Sequence, residues 1–532
     1  MENRANTFMF HKFETLFKEI QPLRQLASGD KSPLKTMALI FCTCLLVYAL
    51  FWGGHQYSID GIVAFQYAKA LLFQHSFQMN PPVVWGEEIF TVSKWPIGQT
   101  LLFIPLLAVL SATVFRGQPF QLKIPYKPGV SYLPELMNNA PYRYASLINP
   151  LLTAATASLV YLLCIQTGMS KKLAAAAALV FGIASPAAVY AKFDYAQPLA
   201  SFLILASLIL AIHAGRHPHI SIIWAAVFLG LAILTRPETV LYATPAILLA
   251  AYAVATRGLR GKGRHALYRI GTILVFVLGF ILLNQVINSF RFGSISSTGY
   301  DPNAGDRFIL NAAYILKAIS GNLFSPGRGI FLFFPLSLLG ILGLWAVWKR
   351  DRIMALILGS IPLIALLVYS AWSEWGAGIS WGPRFLIPVL PYITVLTFWG
   401  YRALGRFPKG LRYSLMGILI LMGWIISLQG QLYNFVDFYS SRFLTNEQIV
   451  FGDYNFEWEN SPLFAGWQGG LSAQGLDNHW FRSISAESVR AFFVVLGMAF
   501  LLGGLGWYWI SFFIWQPNQN FGQNRIFPQQ DC

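Results

Sequence analysis

Cysteine is scarce in this chain. Its four cysteines, Cys42 and Cys44 within one apolar run, Cys164 near the end of another and Cys532 at the terminus, form neither a disulfide framework nor a Cys-x-x-Cys metal site. Charge is scarce as well. Charged residues make up 11% of the 532 residues, against 56% hydrophobic ones, whereas soluble domains carry roughly 25% charge. That excludes an ordinary soluble protein. Acidic residues are the rarer sign, 22 against 38 Lys and Arg, for a formal net charge of +16. In so apolar a chain this excess reads as topology determinants and contacts to anionic lipid, and no nucleic acid is expected as a partner. A cleavable signal is also lacking, because a polar segment precedes the first apolar run and no small-residue cleavage site follows it.

What is present is a series of apolar runs long enough to span a bilayer, which needs about 20 residues per crossing. They fall near 34–53, 96–115, 144–166, 174–190, 198–214, 222–234, 239–255, 270–288, 329–348, 353–371, 385–400, 412–431 and 489–513. Basic residues collect in the short loops at Lys171 and Lys172, Arg216, Arg257 to Arg269, Lys349 to Arg352, and Arg402 to Arg412. The positive-inside rule places these loops in the cytoplasm. All of them share one side only if 96–115 does not cross. Residues 54–143 then form a long external loop with an amphipathic helix at 61–76, and about 12 transmembrane helices remain. The expected fold is an all-α polytopic membrane bundle. Phe10, Phe13, Phe17 and Ile20 recur at helical spacing and predict an interfacial helix before it.

This topology uses Lys and Arg in the short loops alone, and the remaining unusual charges converge on the opposite, external face. Asp60, Lys94, Asp194, Arg236, Glu238, Arg328, Glu374 and Arg384 all fall there, at the ends of separate apolar segments. Each has a plain alternative. Asp60 suits a helix cap, and Asp194 in "YAKFDYAQP" suits an Asx turn. Arg236 and Glu238 flank the proline of "LTRPE" and can pair with each other. "SPGRG" is a turn, and the tryptophans of "WSEWGAGISWGPRF" suit an aromatic belt. It is their convergence that marks a site, because charge at membrane depth is costly unless it is paired or hydrated. Arginines at such an interface suit a lipid-linked phosphate, whose tail stays in the bilayer. Carboxylates beside it suit proton abstraction from a hydroxyl or a grip on a divalent metal.

The order of these elements resembles the GT-C superfamily of polyprenyl-phosphate-sugar-dependent glycosyltransferases, which includes the protein O-mannosyltransferases and the lipid A aminoarabinose transferases. The likeness rests on Asp60 after the first helix, "KWPIGQTLLFIP", "YAKFDYAQP" and "LTRPE", and covers roughly residues 34–260. It implies a GT-C-like bundle, with Asp60 as general base and Asp194 as the second catalytic carboxylate, which in some relatives helps position the acceptor or a metal. Lys94, Arg236, Glu238, Arg328, Glu374 and Arg384 would contact substrate. "KWPI" departs by one residue from the family's Lys-Pro-Pro-Leu segment. Asp60-Gly61 stands where many relatives carry two acids, so metal dependence stays open.

The expected organisation is a cytoplasmic interfacial segment at 1–33, a catalytic module at 34–290 containing loop 54–143, and a C-terminal region at 291–515. That last region has external loops 291–328, 372–384 and 432–488, and a polar tail follows at 516–532. The expected partners are a polyprenyl-phosphate-linked sugar donor, the bilayer of the inner membrane and an acceptor that is a glycan, a lipid or a protein. The active site would face the periplasm. An O-antigen ligase or polymerase, and a flippase for lipid-linked sugars, are the alternatives.

Overall fold

A computed structural model of the protein describes residues 32–80, 82–85, 88–113, 140–213, 218–257, 263–300, 307–435, 438–439, 453–464 and 476–515. The expected N-terminal interfacial helix and C-terminal tail lie outside these residues. Apolar runs become helices because only internal hydrogen bonding satisfies the backbone within hydrocarbon. In chain order they are α1 (Ser32–Leu50), α2 (Ile59–Lys69), α3 (Gly98–Thr113), α4 (Ile148–Gln166), α5 (Lys171–Ile183), α6 (Pro186–Lys192), α7 (Gln197–His213), α8 (Pro218–Thr235) and α9 (Thr244–Arg257). There follow α10 (Gly263–Phe292), α11 (Ala312–Phe324), α12 (Leu339–Arg350), α13 (Arg352–Ser370), α14 (Leu390–Ala403), α15 (Lys409–Leu432), α16 (His479–Ser485) and α17 (Val489–Trp515). Among the described residues seven helices are long and apolar enough to cross a bilayer, or eight if α5 and α6, bent by 49°, count as one span. Shorter apolar helices complete the bundle.

Three details differ from the sequence reading. A small antiparallel hairpin, β1 (Val83–Trp85) with β2 (Glu88–Phe90), sits in the first long loop. Helix α11 occupies part of a segment read as loop. The run 329–348 is no single helix: it breaks at Phe334, whose φ of −142° and ψ of 75° leave the helical region just before Pro335. Proline disfavours helical geometry in the residue preceding it and cannot donate the next ladder bond.

Small residues set the packing. Ala154, Ala157, Ala174, Ala175, Ala177 and Ala178 are all fully buried where α4 and α5 meet their neighbours. Between α12 and α14 the approach is closer still. A Cβ at Gly343 would stand 1.7 Å from the Leu396 carbonyl oxygen, and one at Gly400 would stand 1.9 Å from that of Leu339. Two glycines facing each other's backbone allow this contact.

The bundle has two chemically distinct ends. At one, Gln166 bonds His213 at 2.6 Å, Trp399 Nε1 donates to Thr167 Oγ1 at 3.1 Å, and Lys172 Nζ donates to the Phe513 carbonyl at 2.7 Å. Arg350 and Arg402 both stack on Trp399, each 5.0 Å from its ring centre. Lys172, Arg350 and Arg402, from three of the basic loops, thus share this end. Helix α3 stays at the other. Its Gly98 abuts Thr235 at the end of α8, and its Phe103 and Leu107 share a core with Ile62 to Ala70, Ala145 and Leu234.

The close glycine contact predicts a specific sensitivity. Gly400→Val should lower stability by roughly 1–3 kcal/mol through overpacking, read as a lower thermal midpoint of the purified protein. Gly417→Val, where nothing lies within 4 Å of an added Cβ, should leave that midpoint unchanged.

Candidate active site

The site is built on two short turns that meet. The first is the start of α2. Ser58 takes extended geometry, with φ −116° and ψ 144°, and its side chain accepts from Gly61 N at 3.0 Å. This cap starts the helix and leaves Asp60 in its first turn, where the helix dipole favours a carboxylate. The second is the turn between α6 and α7. Asn149 Nδ2 donates to the carbonyls of Phe193 and Tyr195 at 2.5 and 2.9 Å, and Gln99 Nε2 donates to that of Asp194 at 2.6 Å.

Asp194 joins the two turns. Its Oδ1 accepts from the backbone N–H groups of Tyr57 and Ser58, both at 2.9 Å. Its Oδ2 is buried without a hydrogen-bond partner among the described residues. The contact needs a glycine opposite, because a Cβ at Gly61 would lie 2.0 Å from Oδ2. Burial pushes the Asp194 carboxyl up to about 6. The nearby Asp60 adds to the shift, and the two backbone donors oppose it.

Asp60 begins a chain of alternating charge. Arg384 Nη2 donates to Asp60 Oδ2, and the side chains are only 12% and 14% exposed. The Arg384 guanidinium lies over the Tyr195 ring, 3.8 Å from its centre. Gln197 is fully buried at the first position of α7, and its amide is assigned with the oxygen toward two guanidiniums, because an NH2 group there would face only donors. It accepts from Arg384 Nε at 3.1 Å and from Arg236 Nη1 at 3.2 Å. Arg236 pairs with Glu238 at 2.6 Å, as the spacing around the proline allowed, and Tyr369 OH donates to Glu238 Oε1 at 3.0 Å. Five of the eight residues singled out in the sequence therefore meet: Asp60, Asp194, Arg236, Glu238 and Arg384.

The other three stand around this group. Arg328 is buried and donates to the carbonyls of Gly376, Gly378 and Ser380. It clamps the loop that delivers Arg384, a loop with left-handed backbone at Ala377, Gly378 and Gly382. Tyr190 and Tyr195 hold the same loop, donating to the carbonyls of Trp381 and Ile379, both at 2.8 Å. Glu374 opens the loop, where its carbonyl accepts from Ala377 N at 2.8 Å. Lys94 lies 5.3 Å from the Trp95 ring centre and 5.5 Å from that of Phe90. Arg291 fastens the segment around Lys94 by donating to the carbonyls of Ser93 and Trp95. Among the described residues no three side chains of His, Cys, Asp or Glu converge as metal ligands.

Sequence reasoning missed Asp477. This buried carboxylate, contributed by the segment between α15 and α16, takes Tyr57 OH at 2.6 Å, Lys192 Nζ at 2.8 Å, His55 Nε2 at 2.9 Å and Arg482 Nη1 at 2.8 Å. Burial alone would raise its pKa, but Lys192 and His55 outweigh burial and hold the carboxyl well below the usual range. One cue was legible, the cation Lys192 within the otherwise apolar "YAKF". Gln197 left no signal, since an uncharged residue at a helix start is unexceptional.

No protein-family model matches this sequence, nor does any curated protein. Among solved structures the chain is similar to ArnT from Cupriavidus metallidurans bound to undecaprenyl phosphate, with TM-score 0.46, 15% identity, and coverage of 89% of this chain and 72% of that one. It is also similar to the oligosaccharyltransferase AglB from Archaeoglobus fulgidus in complex with an inhibitory peptide and a dolichol-phosphate. The TM-score there is 0.44 and the identity 13%, with 75% of this chain and 56% of that one covered. The apo oligosaccharyltransferase of Archaeoglobus fulgidus gives TM-score 0.43 at 10% identity, covering 82% of this chain and 61% of that one. This chain thus spans less than two thirds of the length of the archaeal enzymes.

Two measurements test the electrostatics. Because folding raises the Asp194 pKa from 3.8 to about 6, its contribution to stability is present at low pH and lost as pH rises through 6. Wild type should therefore gain thermal stability relative to Asp194→Asn as pH falls from about 6 to about 4. A constant difference across that window would refute the shift. Asp477→Asn strands the buried Lys192 and should cost about 3–5 kcal/mol, seen as a much lower thermal midpoint.

Proposed function

We propose that this chain is an integral-membrane glycosyltransferase that moves a sugar from a polyprenyl phosphate to an acceptor hydroxyl. We place the reaction at the periplasmic face of the inner membrane. One observation carries the reading: at the end of an apolar bundle opposite its basic loops, two arginines and three carboxylates form one largely buried group around Gln197. A donor with a lipid tail and a phosphate head suits such a place, because its tail stays in hydrocarbon while guanidiniums meet the phosphate.

The chemistry follows from the groups present. The acceptor oxygen bonds to the anomeric carbon as the bond from that carbon to the phosphate oxygen breaks. Asp60 takes the proton of the attacking hydroxyl. Polyprenyl phosphate leaves with added negative charge, which Arg384 and Arg236 stabilise. Asp194 holds the start of α2, and with it Asp60, through the N–H groups of Tyr57 and Ser58. Arg328 orders the loop behind Arg384.

The test is transfer of sugar from polyprenyl-phosphate donors by purified protein. Asp60→Asn should lower the rate by about 10²–10⁴-fold, the usual share of a general base. Arg384→Ala should weaken donor binding as well as rate, since its contact to phosphate exists before reaction. An Asp60→Asn variant that transfers sugar at the wild-type rate would remove the assignment.

A further inference from the structure

The ion pair at the centre of the site sets two roles of the proposed reaction against each other. Arg384 Nη2 is bonded to Asp60 Oδ2, and neither side chain has much access to water. The Oδ2 lone pair that meets the guanidinium is not open to a hydroxyl proton, and the Nη2 hydrogen spent on Asp60 is not open to phosphate. Arg236 is also held by a carboxylate, but by one that has no proton to take. Its Nε and Nη2 both rest on Glu238 Oε1, two residues away on the same turn.

Gln197 supplies the means of exchange. Its amide oxygen holds Arg384 by Nε, a different edge from the one that meets Asp60. The guanidinium can therefore keep one contact while changing the other. Gln197 is also neutral, so it gathers two cations without cancelling their charge. A glutamate of the same shape would neutralise one of them.

We infer that the donor phosphate and Asp60 compete for Arg384, with Gln197 as the positioning residue that retains the guanidinium through the exchange. Nε stays on the Gln197 oxygen while the Nη2 hydrogen bond passes from Asp60 Oδ2 to a phosphate oxygen. Asp60 Oδ2 is then open to the acceptor proton only in the donor complex, so the donor binds before the acceptor reacts. This rests on the reading of the site as one for a polyprenyl phosphate donor.

The experiment measures binding of a long-chain polyprenyl monophosphate without sugar to the full chain in nanodiscs, with the matching polyprenol as reference. Removing the competitor should tighten phosphate binding, so Asp60→Asn and Asp60→Ser should each bind about tenfold better than wild type, the scale of one lost charge-assisted contact. A merely structural role predicts no gain. Gln197→Glu should bind at least about tenfold worse, by neutralising the cations. In an Arg384→Ala background the gain from Asp60→Asn should vanish, as coupled sites require. A gain that persists there reflects simple repulsion between Asp60 and phosphate and overturns the exchange. Equal or weaker binding by both Asp60 variants, with wild type still preferring the phosphate to the polyprenol, overturns the exchange and leaves the glycosyltransferase reading standing. No preference for phosphate in wild type overturns both.

Discussion

The buried carboxylate of Asp477 is the fastening on which the geometry of the site depends. An ionised group removed from water must be paired, because desolvation otherwise costs several kcal/mol. Asp477 meets this condition by gathering Lys192 from α6, Tyr57 and His55 from the first loop and Arg482 from its own segment. Neighbouring bonds extend the fastening, with His479 N donating to the Trp52 carbonyl at 2.8 Å and Trp480 Nε1 to that of Ala49 at 2.6 Å. The segment that leads into α16 is thereby tied to the end of the first helix. Tyr57 transmits the consequence, since its hydroxyl is held by Asp477 while its N–H holds Asp194. The start of α2, and Asp60 with it, is set between two carboxylates from distant parts of the chain.

A second fastening acts from the other side. Arg328 binds three carbonyls of one loop, which orders a left-handed stretch and delivers Arg384 to Asp60. A buried cation is here satisfied by backbone dipoles, and Tyr439 and Tyr454 add hydroxyl contacts at 3.4 and 3.3 Å. The two fastenings define a site whose charged groups are nearly balanced within the protein. Such balance makes the site affordable at the edge of hydrocarbon, and it means that an anionic ligand has to compete for its cations.

Much of this arrangement was legible beforehand. Apolar runs located the helices, and the positions of Lys and Arg separated a basic end from the end holding Asp60, Asp194, Arg236, Glu238 and Arg384. The pairing of Arg236 with Glu238 was readable because the two are neighbours around a proline. Arg328 was legible as an unusual residue, but its partners were not, since backbone carbonyls leave no mark in composition. Asp477 escaped because nothing within its own segment distinguishes it. Gln197 escaped because its importance comes wholly from the two guanidiniums beside it.

The sequence by itself determined that this is a helical membrane protein, roughly where its helices lie and which of its loops are basic. Those properties are sums over adjacent residues: hydropathy along a run, charge within a short loop, the effect of a proline on the residue before it. Only the tertiary structure decided that Arg384 meets Asp60 across 324 residues and that Asp477 meets Tyr57 across 420. Hydrogen bonds and ion pairs act over a few ångströms, so their partners are chosen by how helices pack and where loops are held, and no local pattern in the chain records that choice.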